Sequence, residues 1–219
     1  MQLPAPADRD ILHFTHVGNL PAILDQGRLL ADSAVGDHLR REVGDRDIKD
    51  DRRRLVVTCG PGGHPCDYVP FYFAPRSPML YRIARGGVSH YQDGQDPLVY
   101  LRSTIGAALH SGRPWVFSNG NCGAHLTEYF DDLRELDGRI DWPLQYARMW
   151  SMTAEDPSRP TRRAAEFLVH TWMPWSHVLQ VVVRTPTMAT HVQGVLADAG
   201  AERPVVVRPE WYYVGAKFR

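Results

Sequence analysis

The sequence predicts an α+β fold, in which short strands and helices enclose a single hydrophobic core. Three observations favour this class. Short apolar segments, such as residues 11–16 and 178–183, show the alternation or the Val-rich runs that are typical of β-strands. Segments with capping residues or helical spacing, such as residues 19–27 and 188–199, lie between them. No unit repeats with a fixed period, which excludes solenoids and propellers.

Length and composition limit the number of domains and the kinds of partner that the chain can have. A chain of 219 residues, 43% of them hydrophobic, predicts one domain over residues 1–219 with a full core. The 25 Lys+Arg balance the 25 Asp+Glu, so no global positive field draws the protein onto duplex DNA. The odd number of cysteines, 3, favours a reducing compartment, and no apolar run approaches membrane-spanning length. We therefore expect a cytoplasmic protein without a membrane partner.

The first strand and helix together predict a ligand cleft. Alternation over residues 11–16 places His13 and Thr15 on one face of a strand. Asn19 is suited to cap the helix that follows, and Gly27 to end it. A strand with polar side chains that leads directly into a helix is typical of a binding site. A single buried histidine that bonds a backbone carbonyl is the competing interpretation.

Residues 32–66 form a long connection that is first charged and then rich in Gly and Pro. Only a weak helical pattern appears, near residues 48–55. Connections of this length are typical of mobile lids or binding loops. Cys59, His64 and Cys66 lie close together in the sequence, but they lack the second ligand pair of a structural zinc site. We therefore expect no metal.

Residues 67–81 form an aromatic strand followed by a turn rich in proline. Five rings offer flat faces on which a nicotinamide or a nucleobase can stack: Tyr68, Phe71, Tyr72, Phe73 and Tyr81. Arg76 and Ser77, in the turn, are placed to contact phosphate. Aromatic residues at strand spacing are also typical of a core, so binding and packing remain alternatives.

The other segments complete the predicted elements. Strand patterns occur at residues 97–102, 114–118 and 205–208, and a helix pattern at 103–110. Apolar residues between Leu126 and Leu136 repeat at helical spacing and predict one amphipathic helix. Residues 154–160 predict a polar loop that leads into the next strand.

Residues 162–170 contain a carboxylate within an apolar strand pattern. Alternation places Glu166 on the same face as Leu168, where a desolvated carboxylate is costly unless it has a partner or a task. One interpretation is an ion pair with Arg162, Arg163 or another arginine at the start of a strand, and composition alone favours it. The other is a catalytic carboxylate that a strand holds rigidly.

Taken together, these stretches resemble the DarT family, DNA ADP-ribosyltransferase toxins that occur in pairs with DarG antitoxins. The matching residues are His13-Phe14-Thr15-His16 with Asn19, Leu20 and Gly27, then residues 67–81, then 165–169, and finally Trp211-Tyr212-Tyr213. The resemblance covers nearly the whole chain. Its block at residues 68–81 is too long and unusual to arise by chance, whereas a His-x-Thr pattern alone is weak.

The resemblance implies an ADP-ribosyltransferase fold, with a split mixed β-sheet, flanking helices and a cleft for NAD as co-substrate. It implies transfer of ADP-ribose to thymine N3 in single-stranded DNA with release of nicotinamide. A toxin role and a macrodomain antitoxin of the DarG type are implied by the family alone. The family further implies that residues 32–66 form the NAD-binding loop and residues 119–163 the region that recognises the substrate.

The resemblance also implies site residues. Those that bind NAD would be His13, Phe14, Thr15, Ala22, Leu30, Arg52 and Tyr72. Those that meet DNA would be Arg76, Ser77, Pro78, Met79, Leu80, Tyr81, Asn121 and Arg162. Glu166 and Arg52 would be catalytic, although the run Arg52-Arg53-Arg54 leaves three registers for the arginine.

Chemistry supports a carboxylate at Glu166. Cleavage of the bond between nicotinamide and ribose passes through an oxocarbenium-like transition state, which a fixed carboxylate stabilises more than it stabilises the ground state. Thymine N3 lies on the Watson–Crick edge, so the acceptor must be unpaired. Two alternatives remain open at this point. One is the same chemistry on guanine, RNA or protein, and the other is a non-catalytic nucleotide-binding module with a structural Glu166.

Overall fold

A computed structural model describes residues 3–214, so residues 1–2 and 215–219 of the predicted domain lie outside the described residues. The strands are β1 (Asp10–His16), β2 (Arg28–Leu30), β3 (Tyr68–Tyr72), β4 (Leu98–Thr104), β5 (Trp115–Ser118), β6 (Tyr129–Phe130), β7 (Glu166–His170), β8 (Trp172–Pro174), β9 (Gln180–Val183) and β10 (Val205–Val207). The helices are α1 (Leu20–Gln26), α2 (Asp32–Val35), α3 (Arg46–Arg54), α4 (Pro78–Ala84), α5 (Ile105–His110), α6 (Leu136–Arg139), α7 (Trp142–Gln145), α8 (Arg159–Arg163) and α9 (Pro186–Asp198).

Eight strands form one mixed sheet in the order β10-β9-β4-β1-β3-β7-β5-β6, and β2 and β8 form a second, antiparallel pair. Within the large sheet β10 and β9 are parallel, and the other neighbours are antiparallel. Helices flank this sheet, so the predicted α+β class with a mixed sheet is confirmed. Within residues 3–214 no helix is both long and apolar enough to cross a membrane.

The sheet is buried on both faces. In β1 the side chain of Ile11 packs into the larger core cluster, whereas its neighbour Leu12 packs into a second cluster on the other side. The second cluster contains Leu80 of α4 and Tyr212. Alternating side chains of one strand therefore hold helices on opposite faces of the sheet.

The sheet is split between β1 and β3. β1 pairs with β4 along its whole length, but it pairs with β3 only where Leu12 lies opposite Tyr72. Pro70 has no N–H to contribute to a ladder, and its carbonyl oxygen accepts a hydrogen bond from Nδ1 of His13 at 2.9 Å. The divergence of the two strands opens a cleft beside the end of β1.

The predicted helix over residues 126–136 is wrong. Tyr129 instead pairs with Ser118 of β5, and the ring of Phe130 stacks on Phe117 with centroids 5.1 Å apart. Helical turns begin only at Leu133, and Leu126 is 93% exposed. The apolar residues follow helical spacing, but pairing with β5, the preceding strand, places two of them in the sheet.

The predicted strand over residues 162–170 begins later than expected. α8 occupies residues 159–163, with Pro160 in its first turn, where a proline is tolerated. β7 then starts at Glu166. The carboxylate therefore lies at the first position of a buried strand, next to the loop that precedes it. Before it in the chain, the weak helical pattern near residues 48–55 corresponds to α3.

Candidate active site

A cavity of about 360 Å³ lies in the split of the sheet, within the size range of small-molecule sites. It is bounded by β1, α1, the 32–66 segment and the start of α4. Its lining includes all seven residues predicted to bind NAD, namely His13, Phe14, Thr15, Ala22, Leu30, Arg52 and Tyr72. Glu166 lines the same cavity.

Glu166 and Arg52 form a buried ion pair in this cavity. Nη1 of Arg52 lies 2.7 Å from Oε2 of Glu166, and Glu166 is only 3% exposed. Nη2 of Arg52 donates to the carbonyl of Pro65 at 3.2 Å, which fixes the orientation of the guanidinium plane. Glu166 thus lies at the start of a strand and is paired, but its partner comes from α3 and not from Arg162 or Arg163.

The capping of α3 selects Arg52 from the three consecutive arginines. Asp45 accepts a hydrogen bond from the amide of Asp47 at 3.0 Å and begins the helix at a fixed residue. Arg53 then turns outward, to 2.8 Å from both Asp32 and Asp50. Of the three side chains, Arg52 alone points at the carboxylate.

Arg52 remains a cation in this site. Burial acts to lower the pKa of its guanidinium, but the charge of Glu166 more than offsets that effect and raises the pKa above its usual value. The group therefore offers positive charge and N–H donors, and it cannot serve as a base.

His13 presents an acceptor to the cavity. Its Nδ1 lies 2.9 Å from the carbonyl oxygen of Pro70, and since a carbonyl only accepts, Nδ1 carries the proton. Burial lowers the pKa of the imidazole, so the ring is neutral and its Nε2 holds a free lone pair. The histidine is both satisfied by the backbone and placed in the cleft.

Asn19 joins β1 to the 32–66 segment, a role that the sequence did not reveal. Its side chain makes no cap hydrogen bond to α1. Its Nδ2 donates instead to Oγ1 of Thr15 at 3.0 Å and to the carbonyl of Arg41 at 2.9 Å. Its Oδ1 accepts from the amides of Arg40 and Arg41 at 3.1 and 2.8 Å. One side chain thereby closes the loop over the cavity.

Asn19→Ala is expected to raise the KM for NAD about tenfold and to change kcat less than about twofold, because the loop loses its anchor while the ion pair stays. The measurement is initial rate against NAD concentration. Gln193→Ala, on the exposed face of α9, is the matched control. An unchanged KM would show that the loop closes without Asn19.

Tyr72 lies directly beside the ion pair. It is opposite Glu166 in the register of β3 with β7, and its ring stacks on Phe14 with centroids 6.0 Å apart. Burial, and then the charge of Glu166, raises the pKa of its hydroxyl, which stays protonated. The two rings give the cleft a flat wall.

Ser118 supports Glu166 from behind, again without a sequence signal. Its hydroxyl accepts from the amide of Glu166 at 3.1 Å and donates to the carbonyl of Gly120 at 2.7 Å. Cys122, fully buried, lies 3.3 Å from the same hydroxyl. The strand that bears the carboxylate is thereby tied to the start of the 119–163 region.

The residues predicted to meet DNA have different environments. Pro78, Met79 and Asn121 line the cavity, and Tyr81 is 40% exposed. Arg162 pairs with Asp141 and Asp156 at 3.2 and 2.7 Å, which compensates its charge. Ser77 and Leu80 are fully buried, since the Ser77 hydroxyl accepts from the Leu80 amide and caps α4. Their side chains present no surface to a DNA strand, and they act as supports of α4.

Comparison with known proteins assigns the family. A model of the family described as "ssDNA thymidine ADP-ribosyltransferase, DarT" matches residues 12–213. The DNA ADP-ribosyl transferase of Mycobacterium tuberculosis is 39% identical over 211 residues, which are 95% of this chain and 90% of that protein. The DNA ADP-ribosyl transferase of Thermus sp. is 36% identical over 215 residues, 97% of this chain and 100% of that protein.

Solved structures agree with the sequence comparison. Thermus sp. 2.9 DarT in complex with ADP-ribosylated ssDNA has a TM-score of 0.89 and 35% identity, and the match covers 97% of this chain and 99% of that one. The same Thermus protein in complex with NAD+ has a TM-score of 0.84 and 34% identity, over 97% and 100% of the two chains. The expected ADP-ribosyltransferase fold is confirmed. The chain belongs to the DarT family and is an NAD-dependent DNA ADP-ribosyltransferase.

Proposed function

We propose that this chain transfers ADP-ribose from NAD to N3 of a thymine in single-stranded DNA and releases nicotinamide. The observation that carries the proposal is the buried pair of Glu166 and Arg52 in a cleft that all the predicted NAD residues line. The family model and the Thermus complex with ADP-ribosylated ssDNA support the choice of acceptor.

Glu166 polarises the ribose of NAD. Its carboxylate accepts a hydrogen bond from a ribose hydroxyl next to the anomeric carbon. As the bond to nicotinamide breaks, positive charge grows on the sugar and the attraction of the carboxylate grows with it. Nicotinamide leaves as a neutral molecule with the bonding electron pair. The rigid start of β7 keeps the carboxylate in place, so little reorganisation accompanies the step.

Arg52 orients Glu166 and adds positive charge where the acceptor is activated. Thymine N3 loses its proton and uses the freed electron pair to form the bond to the anomeric carbon. A permanently protonated guanidinium beside the site stabilises the negative charge that develops on the thymine ring. The proton itself passes to solvent water, because Arg52 has no free lone pair to receive it.

A test of the acceptor atom replaces the target thymine by N3-methylthymine in a single-stranded oligonucleotide. The methyl group blocks N3 and leaves stacking intact, so we expect no ADP-ribosylated product from the methylated strand and full conversion of the parent strand. Mass spectrometry of the two strands after the reaction shows which of them carries ADP-ribose. Equal conversion of both strands would move the reaction to another atom or base.

We further propose that the protein acts in the bacterial cytoplasm as the toxin of a toxin–antitoxin pair, with a macrodomain antitoxin of the DarG type. Family membership supports this proposal. Induced expression should arrest growth, and co-expression of a macrodomain that hydrolyses thymine-linked ADP-ribose should restore it. Arrest that persists with Glu166→Gln would contradict the proposal.

A further inference from the structure

Two arginines pack against one tryptophan near the pair of strands β2 and β8, and we call Arg28, Trp172 and Arg113 the arginine–tryptophan cluster. The guanidinium carbon of Arg28 lies 5.2 Å from the ring centroid of Trp172, and that of Arg113 lies 4.7 Å from the same centroid. All three residues are half-buried. Such contacts between a guanidinium and an aromatic face restrict where the arginine side chain lies.

The cluster reaches the cavity through Arg28. Of the three residues, Arg28 is the one that lines the cavity. It lies two residues before Leu30 in β2, so both side chains are on the same face of the strand. Leu30 is predicted to bind NAD, and it lies opposite Trp172 in the register of β2 with β8. Trp172 therefore supports Arg28 from outside the cavity, and Arg28 is placed to contact a ligand.

The cavity runs from the ion pair towards this cluster. Tyr72 lies opposite Glu166 and Tyr68 opposite His170 in the register of β3 with β7, and both tyrosines line the cavity. The two positions are four residues apart along the strand, which corresponds to about 13 Å. At the far position Nε of Arg113 donates to the carbonyl of His170 at 3.4 Å. The cluster therefore lies at the other end of β7 from the carboxylate.

The shape of NAD assigns the ends of the cleft. NAD is an extended dinucleotide, so its adenine lies far from its nicotinamide ribose, which the proposed mechanism places at Glu166. The side of the cavity that α4 lines with Pro78 and Met79 is where DNA is expected. The end that is left for adenine is lined by Ala22, Leu30 and Arg28.

The charge of Arg28 is not compensated by the protein. The other arginine and lysine side chains that line the cavity each pair with a carboxylate, namely Arg41, Lys49, Arg52 and Arg82. Across residues 3–214 no carboxylate pairs with Arg28, whose Nε donates to the carbonyl of Gln26 at 3.3 Å. A planar guanidinium that no carboxylate occupies is suited to stack on a second aromatic ring.

Building on the proposed function, we propose that Arg28 binds the adenine of NAD by stacking its guanidinium on the base, and that Trp172 is a positioning residue that keeps Arg28 at the cavity wall. Adenine is a neutral base with a large π-face, so it gains from a planar cation without an ionic contact. A pyrimidine has a smaller face and gains less. The cluster therefore selects NAD over dinucleotides with a pyrimidine in place of adenine.

The test compares NAD with nicotinamide cytosine dinucleotide, which differs only in that base. Calorimetric titration without DNA gives Kd for each. We expect wild-type protein to bind NAD about tenfold more tightly than the cytosine analogue, and Arg28→Ala to raise Kd for NAD about tenfold and for the analogue less than about threefold. Arg28→Lys should behave like Arg28→Ala, because an ammonium group has no plane to stack.

Trp172 is tested by the split between KM and kcat. Trp172→Ala should raise KM for NAD about fivefold and change kcat less than about twofold, and Trp172→Phe should restore most of the KM. The matched control is Arg203→Ala, because Arg203 packs on another tryptophan, Trp175, at 5.7 Å and is not among the residues that line the cavity. Its Kd for NAD should equal that of the wild type.

The two dinucleotides also separate stacking from an ionic contact. If Arg28→Ala weakened both by the same factor, or if Arg28→Lys restored full affinity, Arg28 would bind the diphosphate and the inference would be overturned. An unchanged Kd for NAD in Arg28→Ala would overturn it as well. These titrations contain no acceptor, so a lack of thymine-linked product in the transfer assay would count against the proposed function and not against the adenine contact.

Discussion

Glu166→Gln is expected to lower the rate of ADP-ribose transfer by about 1,000-fold, the upper range for loss of one preorganised electrostatic group. The amide keeps the shape of the side chain, and its oxygen still accepts the hydrogen bond from Arg52. What disappears is the negative charge that stabilises the oxocarbenium-like sugar. The loss should appear in kcat, since the charge acts mainly in the transition state.

Initial rates of nicotinamide release in the presence of single-stranded DNA provide the measurement. Glu202→Gln, an exposed glutamate in the loop before β10, is the matched control and should keep full activity. Thermal unfolding and NAD binding of both variants check the fold. A Glu166→Gln variant that folds, binds NAD and transfers at more than about a tenth of the normal rate would remove Glu166 from the mechanism.

Arg52→Ala is expected to abolish transfer and to lower the free energy of unfolding by about 3 kcal/mol. Both effects have one cause: removal of the guanidinium leaves the carboxylate of Glu166 buried without its partner. Arg52→Lys keeps the charge but cannot reach both Glu166 and the Pro65 carbonyl with a planar fork, so it should recover stability more than activity.

Arg53→Ala is the matched control for Arg52→Ala. Its side chain is half exposed and pairs with Asp32 and Asp50, contacts that are worth little in water. The Arg52→Ala and Arg53→Ala variants should therefore differ widely, both in the rate of ADP-ribose transfer and in the free energy of unfolding measured with urea. If Arg53→Ala lost as much activity as Arg52→Ala, the assignment of the catalytic register within residues 52–54 would fall.

Local signals in the sequence predicted the end of the first helix correctly. Gly27 ends α1 in the left-handed conformation, with a φ of 61°, as expected of a C-terminal glycine. The carboxylate of Glu166 stood out in the sequence because it interrupts an apolar strand. A charged group on a buried strand is costly, so its presence indicates a partner or a function. These features depend on neighbours in the chain, so the sequence displays them.

Other features depend on contacts between distant segments, which the sequence does not display. Asn19 has the residue type and position of a helix cap, yet its hydrogen bonds reach residues 40–41, which fold back over it. Ser118 has no distinguishing neighbour, and it matters because the amide of Glu166 lies 3.1 Å away. The misassigned helix at residues 126–136 is wrong because pairing with the preceding strand, β5, outweighs the helical spacing of its apolar residues.

The most direct test of the central claim is the intact mass of a single-stranded oligonucleotide that contains one thymine, after incubation with NAD and either wild-type protein or Glu166→Gln. The mechanism predicts a gain of one ADP-ribose with the wild type, located on the thymine by fragmentation, and no gain with the variant. Wild-type protein that consumes NAD without modifying the oligonucleotide, or a variant that yields the same adduct, would contradict it.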